Sequence, residues 1–93
     1  MAKGYIEKST ITNTKNGEVK VYFRGIDDYV QDDAKYCEPY KLRKALVNRI
    51  KRDIDFAVRF LKGEKINDSK YSESDGTYII EVEIIEVELE GEN

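Results

Sequence analysis

Alternation is the strongest pattern in the chain, and it lies near the carboxyl end. From Thr77 to Glu90 the residues read TYIIEVEIIEVELE. Successive side chains of a β-strand point to opposite faces, so Tyr78, Ile80, Val82 and Ile84 share one side and Glu81 and Glu83 the other. At the Ile84-Ile85 doublet the parity flips. Val87 and Leu89 then follow Ile85 on the face that carried glutamates, and Glu86, Glu88 and Glu90 take the other. Two arrangements fit the doublet. A β-bulge adds one residue, bends the strand and returns both apolar halves to one core. An unbulged strand instead turns its first half to the core and leaves Ile85, Val87 and Leu89 for a second copy or another protein.

Upstream, residues 4–24 predict a hairpin. Asn16-Gly17 suits a two-residue turn with positive φ at both central positions, which pairs Thr12 with Val21 and Thr10 with Phe23. The flanking runs are rich in Thr, Val, Ile and Tyr, as strands prefer. Gly25 ends the second strand. Residues 26–37, with four aspartates, read as a connector with room for one helical turn near Tyr29 and Val30. Glu38-Pro39 suits a helix start, because proline lacks only an N–H that the first turn leaves unpaired and an acid favours that end of the dipole. Leu42, Leu46, Ile50, Ile54, Ala57, Val58 and Leu61 recur at spacings of three and four, which predicts an amphipathic helix over about 39–62, stopped by Gly63. Arg43 on its apolar side and Phe56 on its basic side are misfits. Residues 63–76 read as a polar loop, and the terminal strand runs over 77–90.

An apolar stripe on the helix and an apolar face on each strand are buried together most simply in two layers. The expectation is a single α+β domain over residues 1–93. It is an antiparallel sheet, formed by the N-terminal hairpin and the long C-terminal strand, packed by one long helix. Ninety-three residues suffice for one core. Charged residues make up 38% of the chain and apolar ones 40%, which fits a soluble domain with a thin core rather than a disordered acidic tail.

The net charge of −3 conceals a segregation: eight basic groups stand against three acidic ones in residues 38–62, and two against ten in residues 63–93. Such asymmetry bears on partners and steering. Around the helix, Lys41, Lys44, Arg49, Arg52, Arg59 and Lys62 gather on one side, as a row of phosphate contacts requires. Tyr5, Tyr22 and Phe23 are candidates to stack on bases. The glutamates Glu81, Glu83, Glu86, Glu88 and Glu90 form regular rows of charge with the general character of a phosphate backbone.

Catalytic chemistry finds little support. The chain has no histidine and one cysteine, Cys37, so the commonest general base and metal ligand and any Ser-His or Cys-His pair are missing. Glycines are scattered and none builds a phosphate loop. Asp27, Asp28, Asp32 and Asp33 are oxygen donors of the kind Ca²⁺ or Mg²⁺ takes, yet their spacing matches no EF-hand, and a solvated connector is expected. No metal, no cofactor and no enzymatic activity are expected. A start without an apolar run, an unpaired cysteine and the lack of a membrane-length apolar segment lead to the expectation of a cytoplasmic protein that does not engage a membrane.

The functional expectation is a small non-enzymatic module that binds another protein through Glu81, Glu83, Ile85, Glu86, Val87, Glu88, Leu89 and Glu90, with a homodimer through residues 85–90 as one form. Its specific version is an inhibitor or nucleic-acid mimic acting on a nucleic-acid-binding protein. The alternative is direct nucleic-acid binding by the basic helix face.

Overall fold

The structure, a computed structural model, describes residues 2–89. Its elements are β1 (Lys3–Asn13), β2 (Val19–Arg24), β3 (Val30–Gln31), a single 3-10 turn (Ala34–Tyr36), α1 (Arg43–Phe60), β4 (Glu64–Asn67), β5 (Lys70–Glu73) and β6 (Tyr78–Glu88). The strands form one antiparallel sheet in the order β3-β2-β1-β6-β5-β4. With α1 laid on one face, this is a small two-layer α+β fold.

The Ile84-Ile85 doublet carries no bulge. β6 pairs with β1 in one unbroken register from Lys3 opposite Glu88 to Asn13 opposite Tyr78. Ile80, Val82, Ile84, Glu86 and Glu88 therefore face the helix side, and Glu81, Glu83, Ile85 and Val87 the far side. β1 is as long as β6, eleven residues each, and accompanies it throughout, so one edge of β6 is paired over its whole length. Nor is the apolar strip beyond the doublet bare. Residues 34–39 fold over that end of the far face, where a Cβ added to Gly4 would stand 2.6 Å from both Leu89 Cδ2 and Pro39 Cβ. Ile6, on the same face, is 0% exposed, and Ile85, Val87 and Leu89 are half-buried.

The first hairpin forms with a longer turn than Asn16-Gly17 suggested. Asn13 exchanges backbone hydrogen bonds with Glu18 and Gly17, each 2.8 Å, and only Gly17 takes a positive φ, 75°. Asn13 Oδ1 accepts from the Lys15 N–H at 2.9 Å, and Asn16 Oδ1 from the Glu18 N–H at 2.9 Å. These side chains brace the loop from within. Thr10 consequently faces Val21 and Thr12 faces Val19, two residues from the expected register. A shift of two keeps every side chain on its face.

The polar stretch 63–76 is a second hairpin, β4–β5, followed by a tight turn into β6. Its loop-forming residues are the turns themselves. Asn67 Oδ1 accepts from the Ser69 N–H at 2.8 Å, and Ser74, Asp75 and Gly76 take successive positive φ values of 56°, 58° and 84°. The strands between them are four residues each. Tyr71 borders the core, and Ser72 is buried with its Oγ accepting from the Glu64 N–H at 3.1 Å.

The helix is shorter than its pattern, Arg43–Phe60 instead of about 39–62. Glu38 to Tyr40 are claimed by the sheet: the Tyr40 N–H donates to Tyr5 O at 2.8 Å, the Tyr5 N–H donates to Tyr40 O at 2.9 Å, and the Ile26 N–H donates to Glu38 O at 2.8 Å. That crossing needs Gly25, whose added Cβ would stand 2.0 Å from Glu38 O. The connector's first regular piece is β3, beside β2, and Asp33 Oδ1 caps the 3-10 turn through the Lys35 N–H at 3.0 Å. At the carboxyl end Lys62, with φ 55°, takes the left-handed position expected of Gly63.

The core forms where Leu46, Ile50 and Ile54 of α1 meet Ile80 and Val82 of β6, with Tyr40 at one end. Burial of each such side chain contributes about 2 kcal/mol. Leu42, Val58 and Leu61 remain exposed, as do both misfits, and Phe56 packs on Phe60 with ring centroids 5.0 Å apart.

Candidate partner-binding strand and the charged clasp beneath the helix

β6 fixes the face from which each of its carboxylates projects. Glu81, Glu83, Glu86 and Glu88 are all exposed, two on each face, while Glu90 lies outside the described residues. The glutamates thus form two short pairs, not one continuous row. Each pair has cations nearby: Lys3 Nζ lies 3.2 Å from Glu86 and Lys8 Nζ 4.0 Å from Glu83, and Lys70 stands opposite Glu81. At such exposure these ion pairs contribute at most ~1 kcal/mol each. Ile85, Val87 and Leu89 lie beside them, half-covered by the connector.

Of the six basic residues proposed for nucleic acid, Lys41, Lys44, Arg52, Arg59 and Lys62 are exposed. Arg49 belongs elsewhere. Its side chain is only 17% exposed and lies on the flank of α1 that carries Asp53, so the helical spacing grouped it with the wrong face. It bonds Asp28, stands 3.5 Å from Asp53, and donates from Nη1 to Tyr40 Oη at 3.1 Å.

Arg49 is half of a clasp that sequence reasoning missed. Arg24, the last residue of β2, emerges on the helix side opposite Glu7 of β1. Its guanidinium bonds Asp53 of α1, sits 3.1 Å from Glu7 and 3.2 Å from Asp28. Glu7 is 5% exposed and also accepts from Ser9 Oγ at 3.3 Å. Asp28, at φ 69°, bends the connector back between the two arginines, and Asp tolerates this left-handed conformation better than most residues. Burial opposes the charge on Arg24, but Glu7 and Asp53 outweigh it and hold the guanidinium above its ordinary pKa. One clue was available: Glu7 interrupts an alternating strand on the face shared by Tyr5 and Ile11, where an apolar residue belongs.

Beside the clasp a groove of about 260 Å³ opens between α1 and the sheet, bordered by Ile11, Phe56, Leu61, Tyr71, Glu73 and Ile80. Burial, with Glu73 adding, pushes the Tyr71 phenol up to about 12, and burial raises the Glu73 carboxyl. The groove is smaller than ordinary ligand pockets, and the adjacent charges are already paired with one another.

Cys37 is buried, and burial, then Asp27 and Asp33, raise its thiol pKa. That is the reverse of the activation a helix start would have supplied, and no helix begins there. Among the described residues no group of three or more acidic or cysteine side chains is placed to hold a metal ion. No helix of the described residues is long and apolar enough to cross a membrane.

No protein-family model, no curated protein and no solved structure matches the chain.

The clasp generates a stability prediction. Arg24→Met leaves Glu7 and Asp53 as neighbouring, poorly solvated carboxylates, and denaturant unfolding is expected to lose about 3 kcal/mol. Lys3→Ala, which removes only an exposed pair, is expected to lose less than ~1 kcal/mol. Equal losses would show that the clasp does not hold the layers together.

Proposed function

We propose that this chain is a non-enzymatic module that binds another protein through the second half of β6, with the carboxylates of Glu86 and Glu88 meeting a basic surface on the partner. The observation that carries this reading is the position of those carboxylates. They are exposed side chains on a strand that is paired along its other edge, so little backbone entropy is lost when they are engaged. Ile85, Val87 and Leu89 give the same segment apolar area. A nucleic-acid-handling protein is the partner class to test first, since its basic groove offers the complementary charge.

Affinity capture from the native host with wild-type protein, repeated with Glu86→Lys combined with Glu88→Lys, tests the reading. Both side chains are exposed, so the variant is expected to keep its melting temperature within a degree or two and to lose the captured protein. Unchanged capture overturns the reading. Displacement of the partner by a DNA or RNA oligonucleotide is expected if the site it occupies is a nucleic-acid groove.

A second reading has its own support. Lys41, Lys44, Arg52, Arg59 and Lys62 are exposed, and among the described ion pairs none includes them. Direct nucleic-acid binding by this face predicts oligonucleotide affinity that falls steeply with salt and drops further in Arg52→Glu with Arg59→Glu. No binding at low salt removes it.

A further inference from the structure

The two edges of β6 are unequal. On one side the Leu89 N–H donates to Ala2 O at 3.2 Å, and on the other the Val82 N–H donates to Ser69 O at 2.7 Å. Backbone groups of an antiparallel strand alternate between its two neighbours, so odd-numbered residues address β1 and even-numbered ones the β5 side. β5 reaches only to Lys70, opposite Glu81, and the chain turns away at Ser69. Beyond that point the N–H and C=O groups of Ile84, Glu86 and Glu88 face a side with no strand among the described residues.

Open edges are ordinarily blunted by bulges, prolines, inward charges or shortness. The sheet's outer strands follow that rule: β3 has two residues, and β4 has a register shift between Lys65 and Asn67. The free edge of β6 is neither short nor bulged, and what guards it is the charge of Glu86 and Glu88, which a basic partner neutralises. The strand is paired with β1 along its whole length without a register shift and contains no proline.

From this geometry, and resting on the reading of β6 as the partner-binding strand, we infer that the partner docks by strand addition, as an extended segment with basic residues at alternate positions, antiparallel to Ile84–Glu88. The partner residues opposite Glu88 and Glu86 are Lys or Arg. Those opposite Val87, Ile85 and Ile84 are apolar, which gives the order basic, apolar, basic, apolar, apolar from amino to carboxyl end. Main-chain bonds supply affinity and the alternate side chains specificity. A second copy of this chain fits poorly: an antiparallel register that engages Glu86 sets it against a glutamate or an aliphatic side chain, and like charges directly opposite destabilise a sheet.

The test uses full-length protein and a fluorescein-labelled, end-blocked peptide Thr-Lys-Val-Lys-Val-Val-Thr, followed by anisotropy at low salt. Wild type is expected to bind it and to ignore the peptide with both lysines replaced by glutamate. Glu86→Gln removes the charge and keeps the edge N–H. Glu86→Pro also removes that N–H, which β1 does not use, and proline is tolerated on an edge. The proline variant is expected to bind about tenfold more weakly than the glutamine variant, the loss of one backbone hydrogen bond with its partner left unpaired. Should the proline variant fail to fold, the same peptide N-methylated at both lysines, tested on wild type, gives the answer: lost binding supports strand addition. Charge-dependent binding that survives both changes overturns strand addition and leaves the acidic-strand reading standing. No binding of the basic peptide to wild type also overturns strand addition, while host capture with the double lysine variant decides the broader reading separately.

Discussion

The unbroken pairing of β6 with β1 is the constraint from which the rest of the molecule follows. With side chains alternating at every step, one inserted residue would reverse the facing of everything beyond it. Because the register never slips, Ile80, Val82 and Ile84 meet the helix while Ile85, Val87 and Leu89 are turned to the far side. A domain this small then has two apolar surfaces to cover and one helix. It covers the second with its own connector, whose Pro39 approaches Gly4 and Leu89.

That use of the connector explains the clasp. A segment drawn to the far face must cross the end of the sheet, and Gly25 lets it pass against Glu38. Just beyond the crossing, Asp28 is caught between Arg24 and Arg49 while Asp53 and Glu7 complete the arginines' partners. Charges from two strands, the connector and the helix meet in one place, so their geometry sets how the layers sit. The carboxylates of the candidate site lie away from this network and remain exposed to solvent.

Much of the fold was legible because it rests on periodicity. The helix core Leu46, Ile50 and Ile54, the hairpin and the long last strand all follow from spacings of two, three and four. The doublet was legible as a question only, since a bulge and a plain strand share one sequence pattern. The β4–β5 hairpin was hidden because its strands are four residues long and its turns use the same Asn, Ser, Asp and Gly that mark loops. Arg49 was misassigned for a different reason: helical angle separates solvent from core well but cannot show which flank is met by a charge from a distant loop. Glu38-Pro39 failed as a helix start because pairing with β1 competed for the same backbone. In the candidate site, the glutamates were readable from the sequence, but the facing of Glu86 and Glu88 hung on the doublet, and the free edge depends on where β5 stops.

β6 is an unbulged strand bonded to β1 on one edge and open on the other past Val82. Amide hydrogen exchange followed by NMR reads that directly. The N–H groups of Ile85 and Val87 are expected to exchange slowly, and those of Ile84, Glu86 and Glu88 quickly. Uniform protection across residues 84–88, or an alternation in the opposite phase, would contradict it.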